Sequence, residues 1–128
     1  MKIVLDTNIY LSALLFQGKI AALYDKVMEE HDVVISPFIL AELKEKLIHK
    51  FKIPVEEVSA ICDSILLAVT LIEPDGKLPD HCRDKDDNHI LHLAETVQAD
   101  YIISGDKDLW VLGNYQKTLI VRPADFDK

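Results

Sequence analysis

The chain has 128 residues, 49% of them apolar, and a formal net charge of −8 at pH 7. That length suits one domain, residues 1–128, with a real core, and the acidic balance excludes a protein that grips nucleic acid by overall positive charge. No apolar run approaches the roughly 20 residues a membrane helix needs, and Asp6 interrupts the N-terminus before a secretory core could form, so a cytoplasmic protein is expected.

In chain order, residues 2–5 (KIVL) read as a short β-prone run ending at Asp6-Thr7-Asn8. A helix follows up to the break at Gly18, and residues 20–30 read as a second helix. Residues 32–36 (DVVIS) form the next strand, stopped by Pro37, which suits the first turn of a helix over 37–51. Another helix follows Pro54, and residues 69–73 (VTLIE) read as a third strand. A polar loop leads to RDKDDNHILHLA (83–94), where a helix is expected to start near Asp86. Residues 100–104 (DYIIS) and 118–121 (TLIV) are strands, with a short helix at DLWVL between them and a PADFDK tail after them. Apolar strands alternating with helices predict an α/β domain whose central sheet has about five mostly parallel strands. Cys62 and Cys82 lie far apart, form no CxxC pair, and are expected to be free thiols.

The acids fall where that fold would place a ligand. In open parallel sheets, ligands bind at the carboxyl ends of the strands. Asp6 directly follows the first strand, and Asp106 comes two residues after YIIS. Each alone is also a natural cap for the helix that follows. In the 83–94 stretch, Asp87 precedes Ile90, Leu91 and Ala94 by three, four and seven residues. Helical spacing therefore puts it on the apolar stripe, where a carboxylate is costly unless it is paired or bound to a metal. Asp86 is turned away and reads as the N-cap, while Asp84 is a loop acid beside Arg83. Glu42 stands at the flank of its helix's stripe, with Lys46 and His49 on its side, and pattern alone leaves it a solvent-facing partner of Lys46.

The segments VLDTNIYLSAL, SPFILAEL, RDKDDNHILHLAE and ADYIISGDKDL, in this order and spacing, resemble the PIN-domain ribonucleases, and among them the VapC-like toxins of toxin–antitoxin systems. The likeness runs through essentially the whole chain. It implies a three-layer α/β/α sandwich and an acidic site at Asp6, Glu42, Asp87 and Asp106. It also implies supporting roles for Asn8 and for Ser104, where many relatives have threonine. Asp108 becomes an additional acid, and Arg83 part of an element whose role is less defined. The implied activity is endoribonuclease cleavage leaving a 3′-hydroxyl and a 5′-phosphate. The implied partners are an RNA substrate and an antitoxin protein, and homodimers are frequent in the family.

Clustered carboxylates repel unless positive charge joins them. With no His or Cys in ligand spacing, oxygen donors favour Mg²⁺ or Mn²⁺ over Zn²⁺. Lys46, His49 and Lys50, near Glu42, are the candidates for holding RNA phosphates. The bland alternative for them is a solvated helix face. Trp110 and Phe38 could stack on bases but read first as packing residues, and the histidines read as structural or surface residues rather than ligands. Two other readings stand beside a toxin nuclease: a non-catalytic PIN-like module that holds RNA or protein, and an RNA-processing nuclease outside any toxin–antitoxin pair. A phosphoryl-transfer or receiver domain fits poorly. The first strand leads to DTN rather than DxD, and TLIV leads to Arg122-Pro123 rather than to a lysine.

Overall fold

A computed structural model describes residues 1–126 of the chain. The elements run β1 (Lys2–Leu5), α1 (Thr7–Leu15), α2 (Lys19–Glu30), β2 (Asp32–Ile35), α3 (Pro37–Glu45), a π-helical turn (Lys46–Lys50), α4 (Val55–Ala68), β3 (Thr70–Leu71), α5 (Asp87–Val97), β4 (Tyr101–Ile103), α6 (Lys107–Trp110), β5 (Asn114–Tyr115), β6 (Thr118–Val121) and α7 (Pro123–Phe126). The sheet order is β3-β2-β1-β4-β6-β5, and every pairing is parallel except that of β5 with β6. The result is a three-layer α/β/α sandwich, as expected.

The strands at the centre explain the architecture. Ile3, Val4, Val33, Val34, Ile102 and Ile103 are almost wholly inaccessible, as a parallel sheet covered on both faces requires. Helix α3 starts where Ser36 accepts a bond from the Ile39 N–H at 3.2 Å, with Pro37 in the first turn. It buries Ile39 and Leu43. Helix α5 buries Ile90, Leu91, Leu93 and Ala94 and packs against β1 and β4. Among the described residues, no helix is long and apolar enough to cross a membrane.

Several elements differ from expectation. The sheet has six strands rather than about five, because Asn114–Tyr115 turns back on β6. Gln116 supplies the positive φ (52°) that this tight reversal needs. The third strand shrinks to Thr70–Leu71, both exposed, at one edge of the sheet. The helix expected over 37–51 widens at its end, where the Phe51 N–H bonds the Lys46 carbonyl at 3.1 Å, five residues back. That extra residue per turn breaks the α-helical line from Glu42 to His49. Lys46 is half-buried, while His49 and Lys50 are exposed. The tail forms α7 as far as Phe126, and its last two residues lie outside the described part.

Strand order reverses between β1 and β4, since the chain builds outward from β1 through β2 to β3 and then returns to the other side. A crevice at the carboxyl ends of β1 and β4 is where such a sheet presents ligands.

Candidate functional site

The register of β1 and β4 pairs Leu5 with Ile103, so the next residues, Asp6 and Ser104, emerge side by side at the crevice. The buried Ser104 hydroxyl donates to Asp6 Oδ2 at 2.7 Å and accepts the Asp106 N–H at 3.0 Å. Asp106 Oδ1 in turn accepts the Asp108 N–H at 2.9 Å and caps α6. The two strand-end acids thus differ. Asp106 does cap its helix, whereas the Asp6 side chain makes no capping bond to α1 and faces Ser104 instead.

Asp87 opens α5 and is 7% exposed, on the buried stripe that its spacing indicates. Asp86 stands at the N-cap position as expected, but its side chain makes no capping bond. Asp84 holds the turn before it. Its Oδ1 accepts the Asp86 N–H at 3.0 Å, and its carbonyl accepts the Asp87 N–H at 3.1 Å. A hydrogen-bonded turn therefore precedes the helix, and its backbone carbonyls take the first N–H groups that a capping side chain would otherwise serve. Asn88, not singled out from sequence, is buried beside Asp87. Its Oδ1 accepts the His81 and Cys82 N–H groups at 3.0 and 2.9 Å, which ties the polar loop to α5.

Glu42 reaches the site from α3 and accepts a hydrogen bond from the buried Thr7 hydroxyl at the start of α1. Asn8, expected to support the carboxylates, is exposed, and Thr7, not singled out from sequence, holds Glu42. Thr7→Val keeps the shape and deletes the donor. It is expected to lower any metal-dependent activity by about 10- to 100-fold, the usual effect of losing a group that orients a ligand. A thermal melt should show little change, and a Thr7→Val protein with full activity would contradict the role.

The electrostatics are those of an unneutralised acid cluster. Burial, then the Asp106 charge and its hydrogen bond, push Asp87 up to about 8. Burial also raises Asp6, partly offset by the Ser104 bond, with Asp106 and Glu42 adding to the rise. Carboxylate oxygens of Asp87, Asp106 and Asp108 all lie within 4.8 Å of one another. Asp87 Oδ2 is buried with no hydrogen-bond partner. An orphaned carboxylate oxygen amid all-oxygen donors and crowded negative charge fits a hard divalent cation. The arrangement could bind phosphate oxygens through such an ion and activate a water. Asp108 is shared with Arg83, whose Nη2 lies 3.1 and 3.0 Å from its two carboxylate oxygens. That pair is mostly exposed on the arginine side and clamps the 83–86 turn to α6.

The histidines do not complete a ligand set with these acids. His92 Nε2 lies 2.8 Å from the Asp75 carbonyl, and His89 stacks on Phe38. Trp110 packs under Arg122, 5.0 Å from ring centre to guanidinium. Cys62 and Cys82 are free and buried. Burial and the acids around it push Cys82 up to about 11, which leaves it an inert thiol.

A family model described as PIN domain matches residues 2–108. The uncharacterized protein MJ1680 of Methanocaldococcus jannaschii is 33% identical over 125 residues, covering 93% of this chain and 79% of that protein. Among solved structures, VapBC2 from Rickettsia felis, bound to a DNA fragment from its promoter, superposes with a TM-score of 0.70 at 15% identity, covering 95% of this chain and 98% of that one. VapC20 of Mycobacterium tuberculosis, a Sarcin-Ricin loop cleaving toxin, superposes with a TM-score of 0.63 at 12% identity, covering 89% of this chain and 97% of that one. At those identities the two structures establish the shared fold.

Proposed function

The chain belongs to the PIN-domain family, and on that footing we propose that it is a metal-dependent endoribonuclease, the toxin of a toxin–antitoxin pair. The observation that carries the reading is Asp87, a buried carboxylate with an unpartnered oxygen, beside Asp6 and Asp106 at the strand-order reversal. In this reading Asp6, Asp87 and Asp106 hold Mg²⁺ or Mn²⁺, Glu42 completes the acid set, and Asp108 stands in reserve against Arg83. Such an ion supplies Lewis-acid stabilisation of the phosphoryl oxygens and a bound water of lowered pKa. The protein's part is positioning. Ser104 fixes the Asp6 carboxylate, Thr7 fixes Glu42, and the capped start of α6 fixes Asp106. RNA as substrate and an antitoxin as partner are supported by the fold shared with VapC20 and VapBC2. The test is cleavage of RNA with Mn²⁺ or Mg²⁺ by wild type and by Asp6→Asn. Cleavage by wild type, lost in the variant and in chelator, is expected. Equal cleavage by both would sink the assignment.

Lys46, His49 and Lys50 would steady the RNA backbone beside Glu42. Replacing Lys46 and Lys50 together by alanine is expected to raise KM, with kcat little changed. The dependence of log KM on log salt should become shallower by about 0.7 for each single-strand phosphate that the variant no longer neutralises. An unchanged salt slope would return these lysines to the role of a solvated face.

A further inference from the structure

Beside the acid cluster lies a second concavity, of about 280 Å³, lined by Ser36, Phe38, Glu73, Leu78, His89 and His92 among others. Its volume falls just below the roughly 300–1,000 Å³ of sites for drug-sized ligands, which suits a single ring system. The Phe38 and His89 rings lie face to face, 3.6 Å between centres and 7° from parallel. Flat, half-buried aromatic surface of this kind is what single-stranded nucleic acid uses to dock its bases. The place is apt as well. Phe38 and Glu42 are four residues apart on α3, just over one turn or about 6 Å along its axis, and so share a face. His89 follows Asp87 by two residues on α5.

The polar rim narrows the choice of base. His92 Nε2 lies 2.8 Å from the Asp75 carbonyl, which ties this ring to the loop at the cavity's edge. The exposed Glu73 carboxylate, in the lining of the cavity, only accepts. A carboxylate at the rim calls for a base edge with adjacent donors. Guanine has one, with N1–H beside the N2 amino group, able to meet a carboxylate with two parallel bonds. Adenine and cytosine set a ring acceptor beside their amino group, and uracil has a lone N–H between two carbonyls. We propose that this cavity is a guanine subsite, in which the base stacks on the Phe38–His89 pair and Glu73 reads its N1–H and N2 amino group. The proposal rests on the ribonuclease reading for its biological ligand, an RNA with guanosine near the cleaved bond.

Titration of GMP, AMP, CMP and UMP into the full chain in chelator, followed by NMR of the His89 and His92 ring protons, tests the site apart from catalysis. GMP is expected to move both sets of resonances and to bind about 10-fold or more tightly than the other nucleotides. Phe38→Ala should weaken GMP by about 10-fold, as loss of a stacking ring does. The exposed Glu73→Gln, which leaves the packing untouched, should remove most of the preference for GMP over AMP. Equal binding of all four nucleotides, or no movement at either histidine, overturns the proposal. RNA cleaved without regard to guanosine, equally by wild type and Phe38→Ala, also overturns it and leaves the ribonuclease reading standing. GMP binding by a chain that cleaves no RNA has the reverse meaning: the base site stands and the ribonuclease reading fails.

Discussion

Asp87→Asn is expected to lower metal-dependent RNA cleavage by about 10²–10³-fold or more, the scale on which loss of one preorganised electrostatic group acts. The same change should raise the melting temperature of the metal-free protein. Both effects have one cause. Asp87 is buried at the head of α5 among Asp6 and Asp106, and its Oδ2 has no partner. Without a cation the fold must hold a proton on Asp87 to avoid an uncompensated charge, and an amide of the same shape removes that cost. With a cation, the charge is the reason the ion binds, and the amide forfeits it. Gain of stability with loss of activity distinguishes a ligand from a structural acid, whose removal would cost both. The neighbouring Asp86, exposed and without a helix-capping bond, serves as the control. Asp86→Asn should stay within about 0.5 kcal/mol of wild type in stability and retain activity. An Asp87→Asn protein that cleaves at the wild-type rate ends the metal-ligand assignment for this residue.

The parts of this site visible in the sequence are those that depend on local periodicity. Asp87 is marked by its spacing to Ile90, Leu91 and Ala94, and the structure buries all of them together. Asp6 and Asp106 are marked by following apolar runs, and parallel pairing brings those strand ends to one edge. Glu42 carries no such mark, because it flanks its stripe. Its place is legible only through likeness to a family. Thr7 and Asn88 escape a reading of the sequence because their roles are tertiary. Thr7 reaches Glu42 across 35 residues of chain, and Asn88 collects two N–H groups from a loop without regular structure. Strand β5 is two residues long, too short for a period of two to show. Helical pattern points to Asp86 as the cap because it stands immediately before the apolar stripe. Asp86 does hold that position, but a hydrogen-bonded turn fastened by Asp84 precedes it and leaves its side chain without a capping bond.

The acid cluster also sets the direction in which pH acts. The folded chain holds the Asp87 proton up to about pH 8, against 3.8 for an unperturbed carboxyl. A folded-state pKa above the unfolded one means that the native state binds the proton more tightly. The stability this confers is fully present below about pH 4 and is lost as pH rises through about 8. Asp6, shifted in the same direction by burial, adds to the trend. The metal-free protein is therefore expected to melt at progressively lower temperature as pH rises from about 5 to about 8. Mn²⁺ should oppose that fall. In the proposed site it would bind the ionised acids and compete with their protons, so the melting temperature gained on adding it should widen over the same interval. At about 4 °C per kcal/mol for a chain of this size, the widening should be readable by calorimetry. In Asp87→Asn, both the fall without metal and the widening with it should shrink together. A gain from Mn²⁺ that stays constant with pH would mean the ion binds away from these acids. A metal-free melt that rises over the interval would mean that Asp87 is ionised and satisfied in the fold, which its unpartnered Oδ2 contradicts.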